Sequence, residues 1–269
     1  MLENLRQLPR YRGLIQSLVS RELKARYRGS VLGFFWSFIN PLLLLLVYTF
    51  VFAYVMPPPK DIDNFALFLF CGLLPWTWFS ASVLESSSVL ITGGNLIKKV
   101  MFPAEILPIV TVLANLVHFL LGLPILIAFL IYFDAPIELP ELPWFPIAIL
   151  VQLLLTLGFA LILSALTVHF RDLKDILGNV MTLWFFATPI IYYWKDAPAT
   201  IRQYLNLNPF THLAITYQEI LFFPADPAAA GGPPGHWKWL LALGVASIGL
   251  FLFGYFLFDR LRDSFAEEV

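Results

Sequence analysis

Residues 21–48 read RELKARYRGSVLGFFWSFINPLLLLLVY. A basic, amphipathic run reaches Gly29 and Gly33 and passes straight into a long apolar segment. The stretch therefore joins a membrane surface to a membrane interior. That junction fixes the side on which the N-terminus lies, and every later segment has to follow from it. Upstream, Leu14, Ile15, Leu18, Val19, Leu23 and Tyr27 recur at helical spacing, while Ser17, Arg21, Lys24 and Arg28 take the opposite face. Residues 11–28 thus read as an amphipathic helix lying in the headgroup plane. A soluble docking helix would carry the same pattern, but direct abutment on an apolar run favours the membrane surface.

Composition points the same way. Of 269 residues, 59% are hydrophobic and 13% charged, and mean hydropathy is +0.78. A soluble domain of this size carries roughly 25% charged residues. The deficit makes lipid the main solvent, so the fold class is an all-α polytopic membrane protein. A net charge of −1 gives no reason to expect a nucleic-acid partner. Cys71 is the sole cysteine, which excludes an intrachain disulfide and a cysteine metal cluster. The N-terminal region is too long and too charged before its first apolar run to be a secretory signal, so the first span is expected to stay in the mature protein.

An apolar run needs about 20 residues to cross a bilayer core of roughly 30 Å. Six runs qualify, at about 31–56, 65–90, 106–133, 144–168, 173–194 and 237–258. Trp76, Trp78, Trp144, Trp194, Trp237 and Trp239 lie near their ends, as an aromatic belt would. The N-terminal tail, the 91–105 loop, the 169–175 loop and the C-terminal tail hold Arg6 to Arg28, Lys98, Lys99, Arg171, Lys174, Arg260 and Arg262. The other loops hold only Lys60, Lys195, Arg202 and Lys238. The positive-inside rule then places both termini in the cytoplasm, which suits an even number of spans. The expected division is 1–30 as the interface region, 31–260 as the membrane domain and 261–269 as a cytoplasmic tail.

Segment 198–224 is different. It is apolar but interrupted by Arg202, Gln203, Asn206, Asn208, His212 and Glu219. A lipid-facing span could not bury all of these cheaply. It reads as a re-entrant helical pair on the outer face, broken at Asn208–Pro209.

No G-x-x-x-x-G-K-[ST] or H-E-x-x-H occurs, and the four histidines are scattered. Glu85 lies inside an apolar run near its cytoplasmic end, where an interfacial carboxylate is the simpler reading than a proton path. His118 is deeper, and suits an interhelical hydrogen bond better than a relay. Asp172 and Asp175 favour the positive N-terminal end of the fifth helix. No active site is legible. The loop ITGGNLIKKVMFPAE (91–105) holds two lysines among exposed Leu, Ile, Val, Met and Phe. A short helix of that kind fits a groove on a soluble partner, although a plain connecting turn is the alternative. Aromatics cluster inside the first and fifth spans, at Phe34, Phe35, Trp36, Phe38, Trp184, Phe185 and Phe186. Ordinary packing explains most of them; a passage that stacks sugar faces is the alternative.

Four stretches, ELKARYRGSVLGFFWSFINPLL (22–43), NLIKKVMFPAEILPI (95–109), RDLKDILGNVMTLWFFATPIIYY (171–193) and LNPFTHLAITYQEILF (207–222), resemble in order and spacing the membrane subunit of type-2 ABC exporters. Within that family they are similar to permeases that export O-antigen, capsule and teichoic-acid polymers. The resemblance covers about residues 10–260. It implies a homodimer in the bacterial inner membrane, paired with two ATP-binding cassette ATPase subunits. ATP and magnesium would sit on those partners, and this chain would hold no cofactor. Residues 95–103 would be the coupling helix, with Lys98, Lys99, Phe102 and Pro103 on the ATPase. Phe35, Trp36, Phe38, Trp184 and Phe185 would line the channel. The cargo would be a polysaccharide on undecaprenyl pyrophosphate, with Arg26 and Arg28 as candidates for the pyrophosphate; ATPase or lipid contact explains those charges equally well. The rival readings are a type-2 exporter of small lipophilic molecules and a membrane glycan- or lipid-modifying enzyme, which would need a convergent set of acids or histidines.

Overall fold

A computed structural model describes residues 8–55, 64–94, 103–135, 141–223 and 235–265. Regular structure among the described residues is helical throughout: α1 (Arg12–Arg26), α2 (Trp36–Phe50), α3 (Phe65–Thr92), α4 (Ile106–Tyr132), α5 (Trp144–His169), α6 (Leu173–Phe186), α7 (Ala199–Leu205), α8 (Pro209–Leu221) and α9 (Trp237–Leu261). Four of these, α3, α4, α5 and α9, are long and apolar enough to cross a membrane. At 1.5 Å per residue they reach about 38–42 Å, more than the roughly 30 Å of a hydrocarbon core. Their ends fall within three residues of the runs expected at 65–90, 106–133, 144–168 and 237–258.

The axis of the bundle is α3. Phe68, Leu69, Phe70, Cys71 and Phe79 follow one another round its circumference and are all essentially inaccessible. A helix apolar on every side has to be enclosed by other helices, and α4, α5 and α8 do this. On α4 and α9 the outward faces carry exposed Ile127, Ile131, Val245, Ile248, Phe253 and Phe256. In water so large an apolar surface would be a liability; with a bilayer as solvent it is the expected exterior. This is a multi-pass membrane protein.

The two remaining runs do not form single long helices. At 31–56 the chain makes one 3-10 turn (Gly33–Phe35), then α2 with Pro41 inside it, then a π-helical turn (Val51–Val55). At 173–194 the helix stops at Phe186, eight residues short of the expected end. The cause is local. Pro189 has no N–H to continue the ladder, and the Thr188 hydroxyl turns back to donate to the Trp184 carbonyl at 2.8 Å.

Segment 198–224 breaks at Asn208–Pro209 as expected, into α7 and α8. Asn208 caps α8 by accepting from the Phe210 N–H at 3.0 Å, with Pro209 in the first turn where an N–H is not needed. Several of its polar groups are met by protein, although Thr211 Oγ1, His212 Nδ1 and Tyr217 OH are buried without a hydrogen-bond partner. Arg202 Nε donates to the Ala197 carbonyl at 2.7 Å, and the His212 ring stacks on Trp239 at 4.7 Å. Both oxygens of Glu219 are held by His236, one by its backbone N–H (3.0 Å) and one by its Nδ1 (2.7 Å). Almost all of α8 is buried, which is how a segment this polar stays among apolar helices.

Candidate functional site

The amphipathic α1 lies on the N-terminal end of α4. Leu18 packs with Ile106 and Val110, and Leu14, Ile15 and Val19 flank them. Arg21 and Lys24 are exposed on the opposite side. After α1 the chain reverses through Gly29 and Gly33, both at positive φ (+82° and +49°), a conformation that costs any residue with a Cβ. The reversal folds the end of α1 against the first turn of α2.

A polar crevice opens at that corner. Arg26, the last residue of α1, forms an ion pair with Glu85 of α3. Its Nη1 also donates to Asn115 Oδ1 of α4 at 3.0 Å, and Asn115 Nδ2 donates to the same Glu85 carboxylate at 2.8 Å. Three helices are thus joined through one charged cluster, and the carboxylate inside an apolar helix is neutralised, as a membrane setting demands. One turn further along α4, His118 Nδ1 lies 3.3 Å from both the Tyr27 and the Ser37 hydroxyls, which are 2.7 Å from each other. The His118 Nε2 atom is buried with no hydrogen-bond partner. Trp36 donates its indole N–H to Ser30 at 3.0 Å. Arg26, Tyr27, Trp36, Ser37, Asn115 and His118 line a cavity of about 220 Å³. It presents a guanidinium, an amide, hydroxyls and an imidazole, a donor-rich wall suited to an anionic or heavily hydroxylated group.

A second constellation joins α6 to α7 and α8. The Trp184 ring lies among Trp76 (6.2 Å), Phe79 (5.3 Å) and Phe159 (5.6 Å), mostly edge-on. Phe185 leans on Trp76 at 5.9 Å. The Trp184 indole donates to Asn208 Oδ1 at 2.7 Å, and Asn208 Nδ2 donates to the Ala187 carbonyl (3.1 Å) and the Thr188 hydroxyl (2.9 Å). One asparagine therefore satisfies the end of α6, the start of α8 and the indole between them.

The family model for the ABC-2 type transporter matches residues 13–222, from the first turn of α1 to the end of α8. The chain belongs to this family. It is similar over its whole length, at 42% identity covering all of both chains, to the O-antigen export system permease protein RfbA of Myxococcus xanthus. It is 32% identical to RfbA of Klebsiella pneumoniae over 94% of each chain. To the polysialic acid transport protein KpsM of Escherichia coli it is 25% identical over 74% of this chain and 77% of the other. The matched range of this ABC-2 transporter chain takes in both constellations.

The residues singled out from the sequence fall in different places. Arg26 and Trp36 meet in the crevice, whereas Arg28 is exposed outside its lining. Phe35 is 69% exposed at the start of α2 and Phe38 half-buried one turn on. Trp184 and Phe185 pack in the other cluster, and no described contact joins them to the α2 aromatics. Lys98, Lys99 and Phe102 lie outside the described residues; Pro103 sits at the start of α4, its carbonyl accepting from the Ile106 N–H at 3.0 Å. Sequence reasoning left Glu85 unpartnered and passed over Asn115. A signal was present: Asn115 and His118, three apart on α4, share a helix face, and an acid inside an apolar run needs a base, which Arg26 supplies.

Proposed function

We propose that this chain is the membrane permease of an ATP-driven exporter that moves a lipid-linked polysaccharide of the O-antigen kind out of the cytoplasm. The observation that carries this reading is the end-to-end similarity to an O-antigen export permease. It works as a homodimer in the bacterial inner membrane. Each copy has six spans, with α2 and its flanking turns as the first and α6 as the fifth, and with both termini cytoplasmic. The α7–α8 pair is re-entrant from the outer face. Two ATPase subunits supply ATP hydrolysis and magnesium, and contact residues 95–103 through Lys98, Lys99, Phe102 and Pro103.

On this reading α1 lies along the cytoplasmic membrane surface, beside the ATPase. Its seat on α4, and the ion pair to α3, give it a mechanical link to the spans. ATP-driven closure of the ATPase pair shifts the coupling segments, and the first and fifth spans part to admit the cargo. Exposed apolar faces on α2 (Leu46, Phe50) and α6 (Leu183, Phe186) offer surfaces for the second copy. Phe35, Trp36 and Phe38 stack on sugar rings weakly enough for stepwise passage, and Trp184 and Phe185 shape the far wall. The pyrophosphate of the undecaprenyl carrier engages at Arg26, with Arg28 beside it.

Replacing Lys98, Lys99 and Phe102 together by Ala is expected to leave the permease folded in the membrane and to release the ATPase on purification. A complex that purified whole, with its ATPase activity intact, would remove 95–103 from the coupling role.

A further inference from the structure

Separated in the sequence, His212 and His236 meet in the fold, where α8 touches the start of α9. Their ring centroids stand 6.4 Å apart. Each ring has one nitrogen committed to an oxygen that can only accept. His212 Nε2 lies 3.0 Å from the Asn206 carbonyl, so it carries the proton and donates. His236 Nδ1 donates likewise to Glu219 Oε1 at 2.7 Å. In a neutral imidazole the other nitrogen then holds a lone pair. For His212 this is Nδ1, buried with no hydrogen-bond partner in a residue only 5% exposed. For His236 it is Nε2, on a side chain 15% exposed.

Metal-binding histidines are held in this way. One N–H is donated to a carboxylate or a backbone carbonyl, which fixes the tautomer and makes the other nitrogen the ligand. We propose that His212 and His236 form a binding site for a divalent transition metal, zinc foremost, that clamps α8 to α9. Imidazole suits Zn²⁺, and Zn²⁺ imposes no geometry of its own. The clamp does not depend on what the permease carries.

Two imidazoles on one tetrahedral ion stand about 5 Å apart, given metal–nitrogen bonds of roughly 2.0–2.1 Å, so the rings close by about 1 Å. His212 is pinned by its parallel stack on Trp239 at 4.7 Å; His236, in the turn before α9, is the ring that moves. Among the described residues no group of three or more histidines, cysteines or carboxylates is placed to hold a metal. The two imidazoles are therefore the protein ligands, and water completes the shell. Glu219 is a positioning residue: it orients His236 through both of its oxygens and offsets part of the charge of the ion.

The test titrates zinc into the full chain in detergent, stripped by a chelator and free of any histidine tag, with magnesium as the control. The expected result is saturable binding of one zinc per chain by calorimetry and a raised melting temperature. X-ray absorption fine structure of the bound zinc should show two imidazoles. His212→Gln and His236→Gln are each expected to weaken binding by at least about tenfold, Glu219→Gln by about tenfold through the lost support, and His169→Gln not at all. The spectrum separates ligation from a purely structural role, because a variant that merely loosened α8 would melt lower without changing what zinc touches. Should His212→Gln fail to fold, the spectrum of the parent protein still decides. No saturable binding, an equal response to magnesium, a spectrum without two imidazoles, or binding indifferent to His212→Gln or His236→Gln would each overturn the proposal.

Discussion

Gly254→Ala should drive α5 and α9 apart, while Gly249→Ala, five residues earlier on the same helix, should leave the protein intact or slightly firmer. A Cβ on Gly254 would sit 2.8 Å from the Gly158 carbonyl oxygen and 3.2 Å from Ile162 Cγ1. A Cβ on Gly158 would meet Leu250 Cγ at 2.9 Å and backbone atoms of Leu250 and Phe251 at 3.1 Å. These contacts are largely with backbone, which no rotamer change relieves. In a bilayer the lipid tails are as apolar as the helix faces, so association depends on close approach at such small residues. Forcing an extra methyl in costs about 1–3 kcal/mol. Around Gly249 nothing lies within 4 Å, and Gly→Ala in an open helical position gains up to about 1 kcal/mol of helix propensity. Opposite signs from the same substitution on one helix make the pair informative. Thermal unfolding of the detergent-solubilised protein, followed by size exclusion, reads it directly. Equal melting of the two variants would mean that α5 and α9 do not pack at these glycines.

Asn208→Ala should loosen the joint between α6, α7 and α8. The side chain accepts from the Phe210 N–H and the Trp184 indole, and donates to Ala187 and Thr188. Loss of an N-cap costs about 1 kcal/mol, and each further bond a similar amount. The total is about 2–4 kcal/mol, because Trp184 is left in an aromatic cluster without its acceptor. Asn208→Ser keeps the cap but not the reach to Ala187, so it should recover part of the loss. The checks are thermal stability and the protease sensitivity of the 187–208 segment. If Asn208→Ala melted like the parent protein, the side chain would not be the fastening that its four hydrogen bonds describe.

Legibility in the sequence followed the physics of each element. The helices α3, α4, α5 and α9 could be read from length and hydropathy alone, because a bilayer sets both. The break between α7 and α8 was legible for another reason: Asn208–Pro209 is a capping residue followed by a first-turn proline. The shortness of α2 and α6 was not. Hydropathy counts apolar side chains, and TPIIYY after Phe186 is as apolar as a helix. What ends α6 is Pro189, with the Thr188 hydroxyl turned back on Trp184, a local stop that a count of apolar side chains does not register. The candidate site was half legible. Arg26 stood out as a charge at a membrane junction, but its partners are 59 and 89 residues away, and only the folded bundle brings them to it. The aromatics of α2 and α6 look alike in sequence. Trp36 borders a cavity, and Trp184 is wedged among three other rings.

We propose above that this ABC-2 transporter chain carries a lipid-linked glycan across the inner membrane. The most direct test deletes its gene in the host and locates the surface glycan by fractionation. The account predicts glycan held on its lipid carrier at the cytoplasmic face and missing from the cell surface, with both restored by the intact gene. Normal surface glycan in a strain without a second exporter would contradict it, and would favour export of a small lipophilic molecule instead.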